Sequence, residues 1–135
     1  MLLELVKPRS IAARIVSHPI EEDREAPPCQ YGHGALVEFQ GIVRPEENGT
    51  PIRGLVYEVY EAMALQVMRE KLDQLHQDHD LLGAEVLHRQ GPVDAGKAAI
   101  RVRIWARHRA SAFAACAAFM DQLKQEVPIW KTATY

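Results

Sequence analysis

Cysteine is almost missing from this sequence: Cys29 and Cys116 are the two in 135 residues. They stand far apart with no C-x-x-C spacing, which excludes a zinc knuckle and a disulfide framework and makes a reducing cytoplasm the expected home. No apolar run approaches the roughly 20 residues of a membrane-spanning helix. The opening stretch Met1-Leu-Leu-Glu-Leu-Val-Lys-Pro8 carries an acidic residue and meets a proline before a signal-peptide core could form, so a soluble protein is expected. Walker, Gly-x-Gly-x-x-Gly and Gly-x-Ser-x-Gly motifs are all lacking, as are internal repeats and low-complexity segments. A pI near 6.3 argues against general nucleic-acid binding.

At 15.2 kDa the chain suits one domain over residues 1–135, able to bury roughly two thirds of its unfolded surface without a staple. Its net charge of -2 hides a gradient. Residues 1–84 hold eight Lys and Arg against fourteen Asp and Glu, whereas residues 85–135 hold eight against four. A basic C-terminal part suits a small anionic ligand or an acidic partner segment.

Pattern predicts several strands and two helices. A first strand is expected at Ile11 to Val16, then a mobile loop over 18–31 with its acidic run and prolines. Gly34 to Arg44 places Ala35, Val37 and Phe39 on one strand face; Asn48-Gly49 marks a reversal, and Gly54 to Tyr60 returns. A helix follows from about Ala62 to His79, carrying Val67, Met68, Leu72 and Leu75 at helical spacing. Glu85 to Gln90 reads as a strand and Gly91 to Gly96 as a turn. From Ile100 to His108 alternation is strict: Ile100, Val102, Ile104 and Ala106 face the core, while Arg101, Arg103, Trp105 and Arg107 face solvent or an interface. The second helix, about Ser111 to Glu126, offers alanines for close packing and a stripe of Phe113, Cys116, Met120 and Leu123.

The chemistry concentrates in the last fifth. Pro128 disfavours helical geometry in the residue before it and lacks an amide hydrogen, so the helix through Lys124 should stop near Val127. Lys131 is then aimed by a turn, with Trp130 as anchor. One ammonium could neutralise a developing anion while the other, its pKa lowered by the first, shuttles a proton. Arg44 and Arg109 offer the planar fork that grips phosphate, and His108 can donate to the same group or relay a proton. Lys124 also fits a helix C-terminus for purely structural reasons. Cys29 with His33 has no third group to make a nucleophile, and Cys116 reads as a small buried hydrophobe. His76 and His79 have a spacing a metal could use, but an exposed polar helix end explains them, and no metal site is expected.

Taken in order, Gly34-Ala35, Phe39-x-Gly41-x-Val43-Arg44, Tyr57-Glu58-x-Tyr60-x-x-Met63-Ala64, His88-Arg89-x-Gly91, His108-Arg109-x-x-Ala112-Phe113 and Lys124-x-x-x-Pro128-x-Trp130-Lys131 resemble the catalytic large subunit of the molybdopterin synthase family. The resemblance spans about residues 34–131. It implies an α+β fold of α/β-hammerhead type, with a mainly antiparallel sheet and two principal helices. It also implies a homodimer that forms the core of a heterotetramer, binding a small ubiquitin-like sulfur carrier at each end. The carrier's Gly-Gly tail ends in a thiocarboxylate whose sulfur passes to cyclic pyranopterin monophosphate, building the dithiolene of molybdopterin. By position, Lys124 and Lys131 match the catalytic lysines, and Arg44, His108 and Arg109 match the residues for the carrier tail and substrate phosphate. No cofactor, metal, nucleic acid or membrane is implied. The alternative is a non-catalytic homologue that grips the carrier as a scaffold. Where the family commonly has a glutamate and a longer basic tail after the Pro-x-Trp-Lys motif, this sequence reads Thr132-Ala133-Thr134-Tyr135.

Overall fold

A computed structural model describes residues 10–23 and 32–135. Strand β1, Ser10–Val16, leads through a 3-10 turn at Ile20–Glu22 toward β2, Ala35–Ile42. A small hairpin of β3, Glu46–Glu47, and β4, Thr50–Pro51, precedes β5, Gly54–Val59, and helix α1, Glu61–Asp78. Then come β6, Leu81–Arg89; β7, Gly91–Asp94; β8, Ala98–Ala106; helix α2, Arg109–Glu126; and β9, Ile129–Thr134. The four-stranded sheet has the order β1-β6-β8-β2, parallel between β1 and β6 and antiparallel elsewhere. A three-stranded antiparallel sheet has the order β7-β5-β9. The fold is α+β, and no helix among the described residues is long and apolar enough to cross a membrane.

Both helices pack on the larger sheet, α1 over β1 and β6, α2 over β2 and β8. In α1 Met68, Leu72 and Leu75 lie in the core as the periodicity predicts, joined by Ala64 one turn earlier, while Val67 packs partly buried beside them. In α2 the buried face is Ala112, Ala115, Cys116 and Phe119; of the stripe expected, Cys116 is buried and Met120 and Leu123 pack partly buried against the core, but Phe113 is 60% exposed. The small residues face inward because the helix lies close to both the sheet and α1, where alanine permits approach; Phe119 fills the remaining gap.

The second face of β8 also departs from expectation. Trp105 is 1% exposed, sealed with Leu82, and Arg101 is 3% exposed. Arg101 is tolerated there because carboxylates come to it. Arg14 pairs with Asp23 at 2.9 Å, Arg101 with Asp23 at 3.6 Å and with Glu85 at 3.4 Å. Arg103 then bridges Glu85 at 3.6 Å and Glu38 at 2.7 Å. Burial lifts the Glu38 carboxyl, but the hydrogen bonds from Arg103 and Gln40 and the charges of Arg103 and Arg101 together outweigh it and hold its pKa below the usual range. Alternating charge thus runs across all four strands of the sheet.

Asp23 belongs to the segment expected to be a mobile loop. Residues 18–23 are instead fastened down: Ile20 is buried with Val16, Leu87 and Ala98, and the Ala98 amide donates to Glu21 at 2.7 Å. Residues 24–31, and Cys29 with them, lie outside the described residues. The turn expected over 91–96 also differs. Gly91 (φ 83°) makes the reversal, and Pro92 then sits in β7, tolerated because β7 is an edge strand paired with β5 alone. Strand β6 begins at Leu81, four residues earlier than expected, because Leu81 to Ala84 pair with β8 and are buried.

Candidate functional site

Lys131 lies inside strand β9, not on the turn expected for it. Helix α2 ends at Val127, whose extended backbone (φ -91°, ψ 130°) sets up Pro128, and the chain enters β9 directly. Trp130 is half exposed, its ring edge-on to Tyr60 with centroids 5.0 Å apart, so it caps a surface rather than anchoring in the core. Lys131 sits opposite Tyr57 of β5.

Above this strand pair stands the β3–β4 hairpin, turned by Asn48 (φ 50°) and Gly49 (φ 81°), the backbone that a two-residue Asn-Gly hairpin turn requires. Its Glu47 carboxylate lies 3.9 Å from the Lys131 ammonium. The Tyr57 phenol is held above its usual pKa, first by burial and then by the Glu47 charge, which sets these three side chains in one neighbourhood. Arg44 enters the same hairpin three residues before Glu47, so their α-carbons are within about 11 Å; its side chain is exposed. Glu47 was not singled out from sequence. Its only signal there is its place shortly after Arg44, and an acidic residue in a polar turn reads as solvated.

Lys124 lies at the rim of a groove of about 560 Å³ between α2 and β2. Phe39, Phe113, Cys116 and Met120 give that groove an apolar floor, and Glu38 and Asp121 share its rim with the lysine. Burial pushes the Cys116 thiol up, as a small core side chain requires.

His108 is the N-cap of α2 and Arg109 its first residue, both exposed. A cation such as Arg109 at a helix N-terminus is disfavoured by the dipole, by about 0.3–1 kcal/mol, so this placement favours a bound anion over the empty helix end. Fifteen residues separate Arg109 from Lys124, about 22 Å along the axis. One chain therefore carries Arg44 into the hairpin whose Glu47 meets Lys131, and sets Lys124 and the His108-Arg109 pair at opposite ends of α2. The five do not converge within a single copy. None of Arg44, His108, Arg109 and Lys124 forms an ion pair among the described residues. No group of three or more His, Cys, Asp or Glu able to hold a metal occurs among them either.

His88 backs this region from β6, its ring edge-on to Tyr57 at 5.3 Å and its Nδ1 donating to the Arg89 carbonyl at 2.8 Å. Burial pushes its pKa down to about 4 from 6.5, the carbonyl bond opposing in part. Between those values the unfolded chain binds more protons than the folded one, so stability falls as pH drops from about 6.5 to about 4, by up to roughly 3 kcal/mol. Urea midpoints measured from pH 7 to 4 should trace that loss, and His88→Leu should remove this component of it.

Comparison with known proteins follows the same outline. The profile of the family described as MoaE protein matches residues 15–126. The molybdopterin synthase catalytic subunit of Thermoplasma volcanium is 37% identical over 98 residues, covering 73% of this chain and 72% of that protein. The protein of the same description from Oryza sativa subsp. indica is 39% identical over 102 residues, which span 76% of this chain and 53% of its own length. Among solved structures, molybdopterin synthase from Staphylococcus aureus superposes with a TM-score of 0.79 at 31% identity, covering 87% of this chain and 86% of that one. A complex of subunits 1 and 2 of the molybdopterin-converting factor from Helicobacter pylori gives 0.71 at 25% identity, covering 88% and 82%.

Proposed function

This chain belongs to the MoaE protein family, and from that premise we propose that it is a molybdopterin synthase catalytic subunit, a sulfurtransferase of molybdenum cofactor biosynthesis. Its partner is a small ubiquitin-like carrier whose Gly-Gly tail ends in a thiocarboxylate, and its substrate is cyclic pyranopterin monophosphate. The cytoplasm is the compartment this reading implies. The observation that supports it best is the match over residues 15–126, which includes Lys124 and the His108-Arg109 pair, together with a half-exposed Lys131 already facing a carboxylate.

In this reading the thiocarboxylate sulfur attacks an oxygen-bearing side-chain carbon of the pterin, and as the carbon–sulfur bond forms the carbon–oxygen bond there breaks, its oxygen leaving protonated. Water then cleaves the acyl carbon–sulfur bond, returning the carrier as a carboxylate and leaving sulfur on the pterin; two such deliveries complete the dithiolene. Lys131 and Lys124 stabilise the oxyanion that forms when water adds and exchange the protons. Arg44, His108 and Arg109 hold the carrier tail and the substrate phosphate. A tail of two glycines suits this task, since a chain without side chains passes where others would clash.

Because His108-Arg109 and Lys124 are about 22 Å apart in one chain, a single guest meets all five side chains only if a second copy brings its own helix end. We therefore read a homodimer core with one carrier at each end. Exposed apolar side chains on the edge strand β2, Leu36 and Ile42, together with Phe39 beside Phe113 in the α2 groove, suit a covered edge. The test is to mix the purified chain with thiocarboxylated carrier and cyclic pyranopterin monophosphate and follow the pterin by mass. Sulfur-bearing pterin is expected; carrier capture without product would instead establish the scaffold reading.

A further inference from the structure

We propose that Glu47 is the resident counter-anion of Lys131, a specificity-determining residue whose carboxylate holds the seat that the anionic end of the carrier tail must take. The inference rests on the reading of Lys131 as a site residue and goes further by naming what the tail competes with.

Four observations carry it. The Glu47 side chain is 28% exposed against 51% for Lys131, so the carboxylate is turned in under the hairpin while the ammonium stays open to an arriving group. Its neighbour Glu46 faces solvent, as strand alternation dictates. The 3.9 Å separation is longer than the roughly 2.7–2.9 Å of a charge-assisted hydrogen bond, so the contact is Coulombic, half wet and readily exchanged. The hairpin that carries Glu47 has two paired rungs and is tied at its base by the Ile52 amide donating to the Pro45 carbonyl at 3.0 Å, little to hold it against a small displacement.

The consequence is chemical selection at one position. A carboxylate or thiocarboxylate terminus recovers the ammonium that Glu47 gives up, whereas an uncharged terminus has nothing to offer Lys131 and leaves the resident pair in place. Once displaced, Glu47 remains a like charge close to the guest and weakens it. Neutralising Glu47 without changing its shape should therefore strengthen binding of an anionic tail and leave a neutral one unaffected.

The experiment uses unmodified carrier ending in Gly-Gly carboxylate and the same carrier ending in an amide, titrated calorimetrically into the full chain, Glu47→Gln, Lys131→Ala and the double variant. Glu47→Gln is expected to bind the carboxylate carrier roughly three- to tenfold tighter and the amide carrier unchanged, with the gain lost in the Lys131→Ala background. No gain, weaker binding, or an equal gain with both carriers overturns the proposal. If wild type binds neither carrier, the functional reading fails and a carrier-free measurement decides the Glu47 question. Acetylation of Lys131 by a sulfonated and by an uncharged N-hydroxysuccinimide ester is then compared by peptide mass spectrometry, with Lys97 as internal reference. The anionic-to-neutral ratio at Lys131 should rise severalfold in Glu47→Gln, and an unchanged ratio rejects the idea.

Discussion

Lys131→Ala lowers single-turnover formation of sulfur-bearing pterin by at least roughly 100-fold, the scale on which losing one preorganised stabiliser of a developing oxyanion is felt. The fold survives, since the side chain is half exposed and its ion pair with Glu47 is long, a contact of the class worth about 0–1 kcal/mol. Lys131→Arg separates the two duties assigned to the amine: a guanidinium keeps the charge but cannot give up a proton near neutral pH. It should bind the carrier tail and still turn over poorly. Quenched-flow mass analysis of the pterin, with a thermal melt of each variant alongside, makes the measurement. Activity of Lys131→Ala within a few-fold of wild type would remove Lys131 from the mechanism.

Arg101→Ala destabilises the chain by about 3–5 kcal/mol, as expected when one member of a buried ionic set is deleted and its partners are left behind. Glu85 and Asp23 are almost fully covered and would face each other across the vacancy, with Arg14 and Arg103 still beside them among the described residues. The set is already imperfect, because the Arg101 Nε is buried without a partner. Against a total of about 5–15 kcal/mol for an ordinary domain, the loss brings the variant near its threshold. Urea denaturation reads it, and the Arg101→Ala, Glu85→Ala double variant should recover at least about 1 kcal/mol relative to the sum of the singles. A single-variant loss below about 1 kcal/mol would mean that water already screens the network.

Much of this architecture was legible beforehand, and the misses have physical causes. Helix α1 and the Asn48-Gly49 hairpin follow from local preferences that the fold leaves undisturbed. Alternation in β8 identified two faces but could not say that the charged one would be covered, since that depends on Glu85 from a neighbouring strand and Asp23 from a distant turn. In α2 two apolar stripes compete, and the choice of Ala112, Ala115, Cys116 and Phe119 over Phe113 is made by how closely the sheet and α1 approach. Gly91-Pro92-Val93-Asp94 has turn composition and becomes a strand because β5 offers it an edge. The candidate lysines announced themselves through Pro128, a local signal. Their spacing from His108 and Arg109 did not, because rigid helix length is invisible to a reading that collects charges.

The pairing scheme also governs how the molecule comes into being. Ser10 faces Gly83 across the parallel pair, and Leu55 faces Thr134 across the smaller sheet. On the ribosome β1 thus waits, solvent-exposed along both edges, until most of the polypeptide has emerged, and β5 waits for β7 and then β9. Such long-range pairing places folding in the slower regime of milliseconds to seconds, with closure late rather than stepwise during synthesis. The nascent chain therefore spends its translation with strand edges on offer, and this interval is when a chaperone would matter most to it.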